Sequence, residues 1–161
     1  MAGDAWLFKK ILVPLDGSEH SLRALDVAIQ IAKKFGAKIT LIHVYSVTVR
    51  PALMPEPIPL STFGIPVLTP AEVSSLIEAT RKAGKKILVE GAEKVKAEGV
   101  EVEIKLEEGH AVQEIIRVSK EGNYDLIVMG ARGISKLREI LLGSVSDAVA
   151  HHATCPVLIV K

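Results

Sequence analysis

The sequence has little of what marks secreted, membrane-spanning or nucleic-acid-binding proteins. Its 161 residues include one cysteine, Cys155, which cannot form an intrachain disulfide and fits a reducing compartment. No apolar run approaches the roughly 18 residues that span a bilayer. The net charge is +1, from 20 basic and 19 acidic residues, so no basic surface predicts nucleic acid or an anionic membrane as partner. The first ten residues contain Asp4 and no apolar signal core, so we expect a cytoplasmic protein.

Several sequence motifs of well-known enzymes are also missing. Neither the phosphate-binding G-x-x-x-x-G-K-[ST] nor the dinucleotide-binding G-x-G-x-x-G occurs, and the G-x-S-x-G elbow of serine hydrolases is absent. The adjacent His151 and His152 would point about 100° apart on a helix, which makes a poor metal chelate. His43 lies in an apolar strand pattern typical of a core histidine, and His110 would cap or flank a helix. The sequence therefore predicts no catalytic residue, and its metal ligands stay unknown.

What is present is a regular alternation of strand and helix patterns. Buried strands are predicted at 9–13 and 38–45, an alternating edge strand at 100–106, and further strands at 126–129 and 156–160. Helical spacing separates them, and Gly84 and Gly91 interrupt the second helix, where we expect close packing on the sheet. This order predicts a single α/β domain over 1–161, an open three-layer fold with a parallel sheet of order 3-2-1-4-5 and helices on both faces.

A proline-rich insertion separates the second strand from the second helix. Residues 46–70 hold six of the eight prolines, which excludes regular structure over most of that stretch. We expect a flexible lid, an excursion towards a dimer partner, or a surface loop with no role. Thr69, Pro70 and Glu72 then form a capping box that starts the second helix.

Two loops converge where the winding of such a sheet reverses, between strands one and four. Asp16 follows the first strand, and Gly130, Gly133 and Gly143 follow the fourth. Glycines and a helix N-terminus suit a phosphate, and the loop carries Arg132, Lys136 and Arg138 against Glu139. Asp16 could accept hydrogen bonds from a ribose hydroxyl or a base amino group. The alternatives are that Asp16 is the N-cap of the first helix and that the glycines only permit tight turning.

The glycine spacing identifies a family resemblance. Gly130-x2-Gly133-x9-Gly143-Ser144 matches the G-2x-G-9x-G-[ST] signature of the ATP-binding subgroup of the universal stress protein family. The chain resembles that family over its whole length, in ILVPLDGSEHS, DLIVMGARG, LLGSVSDAV and CPVLIV.

The resemblance implies an adenine-nucleotide-binding, Rossmann-like domain that holds ATP, with Mg²⁺ accompanying the phosphates. The residues that it implies for this site, by contact or proximity, are Pro14, Asp16, Val44, Gly130, Arg132, Gly133, Gly143, Ser144, Val145 and Ser146. It also implies a homodimer, and the final strand, Val157 to Val160, is an apolar edge that a second copy would cover. An additional, unidentified protein partner is compatible with this interpretation.

The expected function is that of a nucleotide-dependent switch in stress response or signalling. One alternative is a slow or partner-activated ATPase, because no general base is evident beside the glycine loop. A second alternative is a nucleotide-free dimerisation module, which the intact glycine spacing disfavours.

Overall fold

In the part of the chain that the structure describes, a parallel sheet of five strands forms the centre, and two helices cover each of its faces. The computed structural model describes residues 8–46, 69–134 and 142–161. The strands are β1 (Lys10–Pro14), β2 (Lys38–Tyr45), β3 (Val102–Glu108), β4 (Leu126–Gly130) and β5 (Val157–Val160). The helices are α1 (Glu19–Phe35), α2 (Pro70–Ala97), α3 (Ala111–Glu121) and α4 (Ser144–His152). The observed strand order, β3-β2-β1-β4-β5, confirms the prediction.

The central strands β1 and β4 are the most buried, as their apolar sequences predict. Leu12 of β1 pairs with Thr40 on one side and with Ile127 on the other, and all strand pairs are parallel. Pro14 is the last residue of β1 rather than the residue after it, and it pairs with Ile42. A proline is tolerated there because the strand ends and its missing N–H interrupts no further ladder.

Strand β3 begins two residues later than its alternating pattern predicts. Val100 is buried, and its N–H donates to the Val95 carbonyl at 3.3 Å, so it belongs to the turn that ends α2. The predicted edge position is confirmed, because β3 pairs with β2 alone among the described strands. Ile104 in the middle of β3 is 42% exposed.

The two faces of the sheet carry separate apolar cores. Helices α1 and α2 pack on alternate strand residues that include Ile11, Val13 and Leu41. Helices α3 and α4 pack on the opposite set, which includes Leu12, Ile42 and Ile127. This two-sided burial explains why the central strands read as continuous apolar runs.

Helix α2 starts as predicted and has two unlike halves. Thr69 and Glu72 form the reciprocal capping box, with Pro70 at the first helical position. Residues 70–83 contribute no buried side chain, and burial begins at Gly84. The two glycines of α2 do permit close packing: a Cβ on Gly84 would lie 2.4 Å from Cδ2 of His43, and one on Gly91 would lie 2.8 Å from Cδ1 of Leu15.

Two features predicted from the sequence lie largely or wholly outside the described residues. The proline-rich insertion falls there except for its ends, and the loop charges Lys136, Arg138 and Glu139 fall there entirely. Within the ranges that the structure does describe, no helix combines the length and apolarity needed to cross a bilayer.

Candidate functional site

A cleft opens at the carboxyl ends of β1 and β4, where the winding of the sheet reverses. Its volume is about 310 Å³. All ten residues that the resemblance implies for a nucleotide site line this one cleft: Pro14, Asp16, Val44, Gly130, Arg132, Gly133, Gly143, Ser144, Val145 and Ser146. The fold therefore brings the predicted residues together, while their contacts with a ligand stay a prediction.

Gly130 ends β4 against the first turn of α1. A Cβ at this position would lie 2.6 Å from the carbonyl carbon of His20 and 2.8 Å from its oxygen. These are backbone atoms of a helix and cannot move aside as a side chain can. The first glycine of the signature is thus required for α1 to lie against the sheet, whether or not a ligand is bound.

Gly133 makes room for the carboxylate of Asp16. A Cβ on Gly133 would lie 2.7 Å from Oδ2 of Asp16, so only glycine leaves that oxygen its present position. The other oxygen, Oδ1, accepts a hydrogen bond from the Ser18 N–H at 2.9 Å. The alternative that Asp16 is the N-cap of α1 is wrong, because Ser18 occupies that position and accepts from Ser21 N. Asp16 instead shapes the turn that precedes the cap.

Ser146 closes the glycine loop onto the start of α4. The Ala131 carbonyl accepts from the Gly143 N–H at 2.7 Å and lies 2.8 Å from the Ser146 hydroxyl, which is also 2.9 Å from the Gly143 carbonyl. Both neighbours of this buried hydroxyl are acceptors, so its single proton is already engaged. The group that Ser146 has left to offer an anion is its backbone N–H.

The first turn of α4 is suited to binding an anion. Gly143 is the N-cap, and among the described residues no side chain caps this helix end. The N–H groups of Ser144, Val145 and Ser146 have no partner within the helix, and the helix dipole adds partial positive charge. Arg132 lies at the cleft as well and adds a full positive charge. This side of the cleft can therefore hold phosphate oxygens.

Most of the other residues that line the cleft are apolar, and sequence reasoning missed them. The further lining residues are Leu15, Ser21, Ile42, Ala111, Ile115, Met129 and Ile134. Ile42 could have been found, because it lies two residues before Val44 on the same face of β2. Ile134 is 72% exposed, which is unusual for an isoleucine. Ala111 and Ile115 come from α3. No sequence motif predicts which face of this helix is turned towards the cleft.

The histidines are not among the residues that line the cleft. Nδ1 of the half-buried His43 lies 2.7 Å from the Leu15 carbonyl, which confirms the expectation of a satisfied histidine in the core pattern. His110 occupies the N-cap position of α3 without a side-chain cap bond. Across the described ranges, no three His, Cys, Asp or Glu side chains gather into a group that could hold a metal ion.

Comparison with known proteins places the chain in a family. The profile of the universal stress protein family matches residues 7–161. Universal stress protein YxiE from Bacillus subtilis is 39% identical over 155 residues, covering 96% of this chain and 100% of that protein.

Solved structures agree in fold. Universal stress protein UspA from Lactobacillus plantarum superposes with a TM-score of 0.78 at 24% identity, covering 96% of this chain and 99% of the other. A universal stress protein in complex with cAMP superposes with a TM-score of 0.65 at 29% identity, covering 96% and 98%. On the sequence match to its profile and to YxiE, the chain belongs to the universal stress protein family.

Proposed function

We propose that this protein binds ATP in the cleft between β1 and β4 and that nucleotide occupancy acts as a switch in stress response or signalling. The observation that carries the proposal is the convergence of three features on one cleft. These are the Asp16 turn after β1, the glycine loop after β4 and the N-terminus of α4. Each comes from a different part of the chain, and together they provide both an anion site and a polar acceptor.

The cleft offers suitable groups for both ends of a nucleotide. The α4 N-terminus and Arg132 would bind phosphates, which need hydrogen-bond donors and positive charge. Ile42, Val44 and Met129 also line the cleft and provide apolar surface on which a purine would pack. The volume of about 310 Å³ lies at the lower end of the usual range for ligand pockets.

Asp16 supplies the acceptor that the nucleoside part requires. Its Oδ2 faces Gly133 at the cleft while Oδ1 is used within the turn. A carboxylate only accepts, so it would recognise a ribose hydroxyl or the amino group of adenine. The relative solved with cAMP, at 29% identity, supports an adenine nucleotide as the ligand. Magnesium would bind together with ATP and be coordinated mainly by its phosphates, since Mg²⁺ then needs few protein ligands.

Thermal unfolding with and without millimolar MgATP tests the proposal. If ATP is present at about 100 times its Kd, binding stabilises the native state by about 2.7 kcal/mol. For a chain of this length that raises Tm by about 5–10 °C. No shift, together with no nucleotide released from the purified protein on denaturation, would refute ATP binding.

A matched pair of variants shows whether binding occurs in the cleft. Gly133→Val places side-chain atoms against Oδ2 of Asp16 and should abolish the ATP-induced shift. Ser75→Ala, on the exposed first half of α2, should leave the shift intact. Gly130 is unsuitable for this test because its substitution would strike the His20 backbone and unfold the protein. An undiminished shift in Gly133→Val would place the nucleotide elsewhere.

We also propose that two copies associate through β5, which pairs with β4 alone among the described strands. Leu158 on this edge strand is 38% exposed, and an apolar edge invites pairing with another chain. Native mass spectrometry of the untreated protein would report subunit count and bound nucleotide together. Leu158→Lys should yield monomers, whereas Ile104→Lys on the opposite edge should leave dimers. The reverse pattern, or a monomeric native protein, would contradict this interface.

A further inference from the structure

His43 lies beside the cleft but on the other face of the sheet. Its neighbour Val44 lines the cleft, and successive residues of a strand point to opposite faces. On its own face, His43 Nδ1 is 2.7 Å from the carbonyl oxygen of Leu15. A carbonyl oxygen can only accept, so Nδ1 carries a proton and donates it in either charge state of the ring.

Leu15 is therefore held at both of its peptide groups. Its N–H donates to the Ile42 carbonyl at 2.8 Å, and its carbonyl accepts from His43. The peptide plane that contains the Leu15 carbonyl also contains the nitrogen of Asp16. Fixing that plane limits the directions in which the Asp16 side chain can leave the backbone. The hydrogen bond from the Ser18 N–H to Oδ1 of Asp16 then selects one of these directions, so that Oδ2 points towards Gly133.

Helix α2 keeps this arrangement from relaxing. Gly84 contacts the His43 ring, Ile87 lies 3.2 Å from where a Cβ on Gly17 would be, and Gly91 faces Leu15. Residues 84, 87 and 91 are three and four positions apart, so they form one stripe along the helix. That stripe packs on the turn that carries Asp16 and on the histidine that holds it.

We propose that His43 is a positioning residue for Asp16. By holding the Leu15 carbonyl it sets the direction of the Asp16 carboxylate, and through it the selectivity of the cleft for the nucleoside part of its ligand. The selectivity half of this inference rests on the proposed nucleotide site. The positioning half concerns the ligand-free protein and can be tested alone.

The positioning half is tested by hydrogen exchange of the Ser18 amide, which donates to Asp16. His43→Leu removes the donor, and we expect exchange of Ser18 to accelerate about fivefold to tenfold relative to the amides of α3. His43→Asn carries an N–H donor the same number of bonds from the backbone as Nδ1, and it should restore protection. Unchanged Ser18 exchange in His43→Leu would overturn the inference.

The selectivity half is tested by calorimetric Kd values for ATP, dATP and ITP, which differ at the 2′-hydroxyl or at the base amino group. Asp16→Asn identifies which of the two discrimination ratios depends on the carboxylate. His43→Leu should reduce that same ratio by about threefold to tenfold, and His43→Asn should retain it. A uniform loss of affinity with unchanged ratios would mean a purely structural role and overturn the proposal, as would an Asp16→Asn variant that changes neither ratio.

A second variant guards against failure of His43→Leu to fold. His43→Ala combined with Gly84→Ala removes the same hydrogen bond while a methyl group fills part of the vacated space, and it should show the same changes. If the folded wild-type protein binds none of the three nucleotides, the proposed function and the selectivity claim both fail. The Ser18 exchange then still decides whether His43 positions Asp16.

Discussion

Replacing Gly84 by alanine should destabilise the protein, although helix propensity alone predicts the opposite. Alanine in the middle of a helix is favoured over glycine by about 1 kcal/mol. The new methyl group would lie 2.4 Å from Cδ2 and 2.9 Å from Nε2 of the His43 ring, and 3.1 Å from Cδ1 of Leu106. Ordinary carbon contacts are about 3.5–4.0 Å, so the ring must move.

The magnitude follows from what moving the ring disrupts. Overpacking of this kind costs about 1–3 kcal/mol. Displacing the ring also weakens its bond to the Leu15 carbonyl, which contributes about 0.5–1.5 kcal/mol. After the gain in propensity, the expected net loss is about 2 kcal/mol in the free energy of unfolding, or about 4–8 °C in Tm.

Urea unfolding of a double-mutant cycle checks this reasoning. In a His43→Ala background the clash with the ring is gone and only the contact with the flexible end of Leu106 remains, so Gly84→Ala should become neutral or stabilising by up to about 1 kcal/mol. Ser75→Ala on the exposed part of the same helix should stabilise by a few tenths to about 0.5 kcal/mol in both backgrounds. If Gly84→Ala stabilises the otherwise unaltered protein, the proposed contact between α2 and His43 does not exist.

Three further predictions follow from buried or capped polar groups. The buried hydroxyl of Thr40 has no hydrogen-bond partner among the described residues, so Thr40→Val should raise the free energy of unfolding by about 1 kcal/mol in urea titrations; a decrease would show that the hydroxyl is satisfied. The Glu72 carboxylate accepts hydrogen bonds from the Thr69 N–H and, with a smaller effect, from the Thr69 hydroxyl, and these bonds lower the pKa of Glu72. The ionised carboxylate therefore stabilises the folded protein fully at pH values above the unfolded-state pKa, and this stabilisation is lost as the pH falls through the lowered folded-state pKa. Glu72→Gln should therefore reduce stability at neutral pH and not in acid strong enough to protonate the carboxyl in both states; an equal effect at both would exclude this linkage. Burial raises the pKa of the Cys155 thiol, so at about pH 8 iodoacetamide should modify it more slowly than it modifies glutathione, and an equal rate would contradict the burial.

The strand order and the location of the site could be predicted because they depend on features that repeat along the chain. Apolar runs mark the central strands, and right-handed crossovers then leave few ways to arrange them. The glycine spacing located the cleft because its first two glycines stand in close contacts: a Cβ on Gly130 would meet the backbone of His20, and a Cβ on Gly133 would displace the carboxylate of Asp16.

What could not be predicted depends on side-chain contacts between distant segments. Asp16 and Ser18 are both residue types favoured at an N-cap, so the sequence alone does not decide between them. Nothing in the sequence near Asp16 shows that His43 holds the preceding carbonyl from another strand. The engagement of the Ser146 hydroxyl by Ala131 likewise joins residues fifteen apart. The late start of β3 has a local cause, since Val100 folds back onto Val95 after Gly99 adopts a φ of 74°.

The two halves of α2 differ in how they would tolerate a change in chain length. Because residues 70–83 include no fully buried side chain, insertions or deletions before Gly84 would lengthen or shorten this part of the helix without turning the stripe of Gly84, Ile87 and Gly91 away from the Asp16 turn. One residue added inside that stripe would rotate everything beyond it by about 100° about the helix axis. The length of α2 can therefore vary before Gly84, whereas between Gly84 and Gly91 the number of residues must stay the same for the stripe to pack on the Asp16 turn.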